Sequence, residues 1–357
     1  MLYHLLYPLA ETFGGFNVVR YITFRTAAAT LTALFISFLM GPWLIRKLSE
    51  LRVGQPIRAI GPDHQAKAGT PTMGGLLILL SLIVSVLLWA QLDNRFVWIV
   101  LGLTTGYGVL GFLDDYKKVT QQNSDGISAR TKLFWQTLLA FGVALAIYTS
   151  PAFDQELAVP FFKNFTPKIG WLYVPLATFI IVAFSNGVNL TDGLDGLAIG
   201  PVMIAAGTFI GLSYAAGHIQ IADYLSIKYV PGAGQLAIFC GALVGGGLGF
   251  LWFNASPADL FMGDVGALAL GGALGTISVL IRQEILLAVI GGIFVAEAAS
   301  VVIQVVWFKF TGRRVFLMAP IHHHFEKLGW AEQKIVVRFW IVSIILALVA
   351  LSSLKLR

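Results

Sequence analysis

The stretch "VPLATFIIVAFSNGVNLTDGLDGLAIGPVMIAAGTFIGLSYAA", residues 174 to 216, reads as two apolar runs with a polar knot between them. Asn186, Asn189, Asp192 and Asp195 recur every three residues in it. On a straight helix each such step drifts by about 60°, which scatters the four around half a turn. They converge only if the helix breaks, and Gly187, Gly193 and Gly196 allow a break. Non-helical backbone at membrane depth is tolerated only where it lines a polar cavity or is buried in protein. The plainer alternative is a tight turn with an aspartate capping the next helix. A turn needs one Asp, and this one has two.

The rest of the chain shares that character. Of 357 residues, 57% are hydrophobic and only 12% charged, a balance that one soluble core of this size could not hide. The chain reads as an all-α polytopic membrane protein forming a single domain over residues 1–357. Its one cysteine, Cys240, rules out a disulfide framework and sits in an apolar run as a packing residue. The first sixteen residues carry no Lys or Arg and are broken by Pro8 and Glu11, so they lack the charged start of a signal peptide and read as an interfacial lead-in. The formal charge of +6 fits anionic lipid or a polyphosphate substrate; in so apolar a chain, nucleic acid is the poorest candidate partner.

A span needs about 20 mostly apolar residues to cross roughly 30 Å of hydrocarbon. About ten transmembrane helices satisfy this, near 21–45, 73–92, 96–113, 132–149, 170–187, 197–215, 234–253, 262–281, 286–307 and 335–354. Fifteen Lys and Arg fall in the connections after odd-numbered spans, against five (Arg95, Lys163, Lys168, Lys228 and Arg282) after even-numbered ones. The positive-inside rule then puts the odd-numbered loops in the cytoplasm and both termini on the periplasmic side. The longest polar connections also lie on the cytoplasmic face, which is where a water-soluble substrate would be handled.

Three further polar clusters fall on that face. "GFLDDYKKV" ends span three with Asp114 and Asp115, adjacent carboxylates that repel and need a positive partner. Neighbouring helical residues point about 100° apart, which predicts two jobs, one towards a metal and one towards a reacting group. An ordinary solvated helix end is the competing reading. "FNASPADLFMGDVGALALGG" places Asn254 and Asp264 about a short loop, where Asp264 could instead simply cap span eight. Glycines at 241, 245 and 249, and at 271, 272 and 275, read as close helix packing rather than phosphate cradles. In "GRRVFLMAPIHHHFEKLGW", three consecutive histidines cannot face one point in regular structure, so the run suits anionic oxygen better than zinc. Hard oxygen ligands in this number call for Mg²⁺, which takes carboxylates plus substrate phosphates. No G-x-x-x-x-G-K-[ST] run and no G-x-S-x-G elbow is present, which excludes a P-loop pump and disfavours a serine hydrolase.

Taken together, "KAGTPTMGG" (67–75), "GFLDDYKK" (111–118), "NLTDGLDGLA" (189–198), "FLWFNASPADLFMGDVGALALGG" (250–272) and "MAPIHHHFEKLGW" (318–330) resemble the phospho-N-acetylmuramoyl-pentapeptide transferase family of the polyprenyl-phosphate N-acetylhexosamine-1-phosphate transferase superfamily. The M-A-P-I-H-H-H form points to the muramoyl branch. The resemblance implies a homodimer in the bacterial inner membrane, with its active site on the cytoplasmic face. That site would transfer phospho-MurNAc-pentapeptide from UDP-MurNAc-pentapeptide to undecaprenyl phosphate with Mg²⁺, giving lipid I and UMP. By position it implies Asp264 as the Mg²⁺ ligand, Asp114 and Asp115 as the catalytic pair, and Asn189, Asp192, Asp195 and Asn254 around the uridine and sugar phosphate. Lys67, Lys118, His322, His323 and His324 would bind phosphate and sugar, His323 among the catalytic groups. Ala267 and Gly187 depart from the family's usual Ser and Ala. A secondary transporter, whose binding residues cluster near the bilayer midplane, a structural scaffold, and a sibling enzyme using UDP-GlcNAc are the rival readings.

Overall fold

The computed structural model describes residues 1–51, 69–121, 126–150, 156–162 and 165–354. Fourteen α-helices carry the described chain: α1 Leu2–Leu6, α2 Ile22–Glu50, α3 Gly75–Trp89, α4 Arg95–Thr120, α5 Ala129–Tyr148, α6 Tyr173–Thr191, α7 Ile199–Ala216, α8 Ile219–Leu225, α9 Leu236–Asn254, α10 Gly263–Leu280, α11 Glu284–Ile290, α12 Gly292–Thr311, α13 Ile321–Lys327 and α14 Glu332–Ser352. Among the described residues the one extended pairing outside helices is an isolated antiparallel bridge between Glu156 and Lys168.

Among the described residues, nine helices are long and apolar enough to cross a membrane: α2, α4 to α7, α9, α10, α12 and α14. The span expected near 73–92 is α3, an apolar helix of only 15 residues, which at 1.5 Å per residue reaches about 22 Å. The span expected at 286–307 needs correction. The chain turns at Ile281–Gln283, forms the short α11, and only then starts α12 at Gly292. An apolar run hid the break between α11 and α12, because Gly291 interrupts the helix without adding polarity.

Helix α10 is the axle of the bundle. Its sequence GDVGALALGGALGTISVL is so rich in small residues that neighbouring backbones close on it directly, and 89% of it is buried. A Cβ on Gly75 of α3 would lie 2.1 Å from the amide of Gly266, and Cβ atoms on Gly271 and Gly275 would press into the α6 backbone at Phe184 and Ile181. The second glycine row behaves the same way. Gly241, Gly245 and Gly249 recur every four residues on one face of α9 and admit α2 at Thr26, Thr30 and Ser37. Both rows pack helices, as the sequence predicts.

Polar side chains of α5 and α6 pair with one another inside the bundle, as a medium without water favours. Gln136 of α5 donates to the Ser185 hydroxyl (3.1 Å) and accepts from Asn186 of α6 (3.0 Å). Asn186 therefore joins α5 to α6 and does not turn towards the knot that follows it. Cys240 is free and buried.

Candidate active site

Helix α4 carries Asp114 and Asp115 in its last two turns, and α10 begins at Gly263 with Asp264 in its first turn. Gly111, one turn before the acidic pair, lets the two ends meet: its missing Cβ would lie 2.3 Å from the carbonyl oxygen of Asp264. Gly263 takes φ +72°, a left-handed conformation open to glycine, and a Cβ there would strike Asp115 Oδ2 at 2.4 Å. One oxygen each from Asp114, Asp115 and Asp264 consequently falls within 4.8 Å of the others. Adjacent residues on a helix diverge, yet both members of the pair bring an oxygen here.

What holds three carboxylates together is legible atom by atom. Asp114 Oδ1 accepts from the Ile127 amide (2.7 Å), and Asp115 Oδ2 from the Val265 amide (3.2 Å) at the N-terminus of α10. The Lys118 ammonium, one turn along α4, lies 2.6 Å from Asp114 Oδ2, 3.6 Å from Asp115 Oδ1 and 3.4 Å from Asp264 Oδ2. Lys132 of α5 reaches the same oxygens, 3.0 Å from Asp114 Oδ2 and 2.5 Å from Asp264 Oδ2. Two lysines face three carboxyl groups in this cluster, and hard oxygens in that number suit a small divalent cation.

The knot between α6 and α7 closes on this cluster. Helix α6 ends at Thr191, Asp192 caps it in a non-helical conformation (ψ 55°), and Gly196 takes φ +76°. The expected break therefore exists, with Asn189 still on α6 one turn before it. Burial first, then the charges of Asp264, Asp115 and Asp195, push the Asp192 carboxyl up to about 8. Asp195 is buried, and its Oδ2 accepts from the Ala258 amide (3.3 Å). Asn254 is buried too, with both ends of its amide engaged: it accepts from Gly196 N (2.9 Å) and donates to the Leu260 carbonyl (2.8 Å). It ties the knot to the loop that leads into Asp264.

The three histidines take three separate partners. His322 is buried, its Nδ1 3.1 Å from Oε2 of the equally buried Glu297 in α12, and a Cβ on Gly193 would lie 2.3 Å from its Nε2. It thus touches the turn that carries Asp192 and Asp195. His323 pairs with Glu326 (2.5 Å), and His324 Nδ1 accepts from the Leu317 amide (3.1 Å). Lys67 lies outside the described residues. Two residues escaped the sequence reading. Lys132 is one of the fifteen Lys and Arg on the cytoplasmic side, and a lysine in the first turns of a helix, disfavoured by the helix dipole, invites the question of its partner. Glu297, an acid within an apolar span, raises the same question.

Fold and cluster define a class: a polytopic membrane protein whose acidic centre, bridged by lysines, sits at one end of its spans. Residues 97–282 match the model of glycosyl transferase family 4, and residues 67–79 match the phospho-N-acetylmuramoyl-pentapeptide-transferase signature 1. Proteins named phospho-N-acetylmuramoyl-pentapeptide-transferase align with all of this chain over all of their own length. Those from Geobacter sp. (strain M21), Syntrophus aciditrophicus and Desulfotalea psychrophila are 59%, 58% and 55% identical to it. The chain belongs to the phospho-N-acetylmuramoyl-pentapeptide-transferase family.

Proposed function

We propose that this chain transfers phospho-N-acetylmuramoyl-pentapeptide from UDP-MurNAc-pentapeptide to undecaprenyl phosphate at the cytoplasmic face of the bacterial inner membrane, forming lipid I and UMP as a homodimer. The observation that carries the reading is the meeting of Asp114, Asp115 and Asp264 with Lys118 and Lys132. Asp264 and one carboxylate of the pair would hold Mg²⁺, which when bound neutralises charge on the diphosphate.

In the reaction an oxygen of undecaprenyl phosphate attacks the sugar-linked phosphorus, a new P–O–P bridge forms, and the bond to UMP breaks. The remaining carboxylate of the Asp114–Asp115 pair takes the acceptor's proton, while Lys118 and Lys132 turn from carboxylates towards phosphate oxygens. Asp192, Asp195 and Asn189 line the approach from the α6–α7 turn, and Asn254 keeps that turn in place. His322, braced by Glu297, and His323 and His324 supply donors to phosphate and sugar, with Lys67 as a further cation.

The test is transfer of labelled phospho-sugar from UDP-MurNAc-pentapeptide, read together with UMP release. Withholding Mg²⁺, or making Asp264→Asn, is expected to abolish both; activity surviving either change removes the metal from this account. UMP release from UDP-GlcNAc instead would assign the chain to the sibling reaction. Phospho-MurNAc-pentapeptide trapped covalently on Asp114 or Asp115 with donor alone, with UMP released, would replace the single displacement by a double one.

A further inference from the structure

The α6–α7 turn is gripped by a side chain 144 positions further along the chain. Gly196 takes a left-handed conformation, φ +76°, and both of its backbone groups are held from outside the turn. Its amide donates to Asn254 (2.9 Å), and its carbonyl accepts from the indole N–H of Trp340 in α14 (3.1 Å). The Gly200 amide reaches the same carbonyl at 3.4 Å, so the indole supplies the closer bond. Gly200 also opens the slot in which the ring lies. A Cβ there would sit 2.0 Å from Trp340 Nε1 and 2.3 Å from Cε2.

A tryptophan near the end of a membrane helix is ordinarily an interfacial anchor with its N–H towards water. Trp340 instead stands eight residues into α14, about 12 Å along it, and is half-buried. An indole N–H so placed needs a protein acceptor, and it takes the carbonyl at the break between α6 and α7. The residue beside it serves the histidine segment. Phe339 packs edge-on against Phe325 of α13 (6.2 Å, 85°), and Phe325 stacks on Trp330 (4.7 Å). His322, which touches Gly193, lies one turn before Phe325 on α13. Leu194 and Leu197 of the turn join Ile293 of α12 and Ile335, Val336 and Phe339 of α14 in a hydrophobic cluster separate from the main core. One stretch of α14 thus backs both segments that meet at Gly193, and Trp340 adds the directional bond.

We propose that Trp340 is a positioning residue for the transfer reaction: its indole N–H, bonded to the Gly196 carbonyl, keeps the turn that carries Asp192 and Asp195 closed on the carboxylate cluster. This role rests on the transfer reading given above and adds a residue from outside the motifs that carry it. Packing alone is non-directional, so a ring that fills the slot without the N–H leaves the Gly196 peptide free to tilt.

Trp340→Phe and Gly200→Ala in the full-length protein, purified in detergent, test the role. The first keeps an aromatic ring and removes the donor; the second keeps the donor and drives the ring from its slot. Each is expected to lower kcat for UMP release from UDP-MurNAc-pentapeptide about tenfold, and the double variant should fall no more than about twofold below the worse single, because both break one contact. In substrate-free protein, amide exchange across residues 192–200 should quicken about tenfold in Trp340→Phe while that of α10 stays as in the parent. Gly200→Ala carries both readouts if Trp340→Phe does not fold. Parental kcat in a folded variant, even one with a lowered unfolding temperature, would reduce Trp340 to packing and overturn the role. Losses that multiply in the double variant, or unchanged exchange in the turn, would overturn it too. A parent that releases no UMP would end the transfer reading and this role with it, while the exchange measurement would still decide whether the indole holds the turn.

Discussion

Gly111→Ala is the most economical probe of the proposed centre, because it alters no acidic side chain and adds one methyl group. That methyl would lie 2.3 Å from the Asp264 carbonyl oxygen, 2.4 Å from its carbon and 2.6 Å from the Val265 amide. All three atoms are backbone, so no side chain can swing aside, and ordinary contact distance requires the start of α10 to withdraw from α4 by about 1 Å. The same shift stretches the 3.2 Å bond from the Val265 amide to Asp115 past useful length and separates Asp264 from the pair on α4. Magnesium demands oxygens near 2.0–2.1 Å in octahedral array, so a displacement of this size should cost about 10²-fold in kcat/KM and raise the Mg²⁺ requirement. Overpacking should cost only about 1–3 kcal/mol of stability, which thermal unfolding in the same detergent would register as a still-folded protein. UMP release across a Mg²⁺ titration is the assay. A folded variant with activity within about threefold of the parent and the same Mg²⁺ midpoint would refute the claim that the α4–α10 approach sets the site.

Lys132→Gln should leave the cluster with one cation, lower the unfolding temperature in EDTA, and enlarge the stabilisation that added Mg²⁺ produces; an unchanged Mg²⁺ effect would mean that Lys132 does not share the carboxylates' charge. Glu297→Ala should cost about 3–5 kcal/mol by leaving buried His322 without its partner, whereas Glu297→Gln should retain most stability and lose activity by about 10- to 100-fold. Equal stability loss in both variants would argue against a pairing role. Asp192 adds a pH signature: its carboxyl titrates near 8 when folded and in the ordinary carboxylate range when unfolded, so the folded state binds the extra proton. Metal-free protein should therefore lose stability as pH rises from about 4 through 8, and Asp192→Asn should flatten that slope in thermal unfolding between pH 6 and 9. A slope that persists in the variant would assign it to other groups.

The spans were legible because hydrocarbon imposes a length and an apolar composition that few other environments require. Asp114, Asp115 and Asp264 could be named for the complementary reason, since acids beside apolar helices need a shared partner. What sequence could not carry was reciprocity between distant helices. Lys132 entered only as one more loop charge, because nothing along the chain links it to Asp264, 132 positions away. Asn254 had the right composition for ligand contact, yet its amide is committed to Gly196 and Leu260 on two different segments. Asn186 followed the three-residue rhythm of the knot and still turned to α5, since on an intact helix that rhythm rotates away from any single target.

The two ammonium groups among the three carboxylates bear on how such a protein is made. A membrane chain leaves the ribosome and is threaded sideways into lipid long before its helices have settled, at a stage when naked acid at the bundle's edge would repel its neighbours. Lys118 and Lys132 between them reach all three carboxylates, so the chain carries its own counter-charge into that crowded stage and the helix ends can close on one another without borrowing a cation from outside.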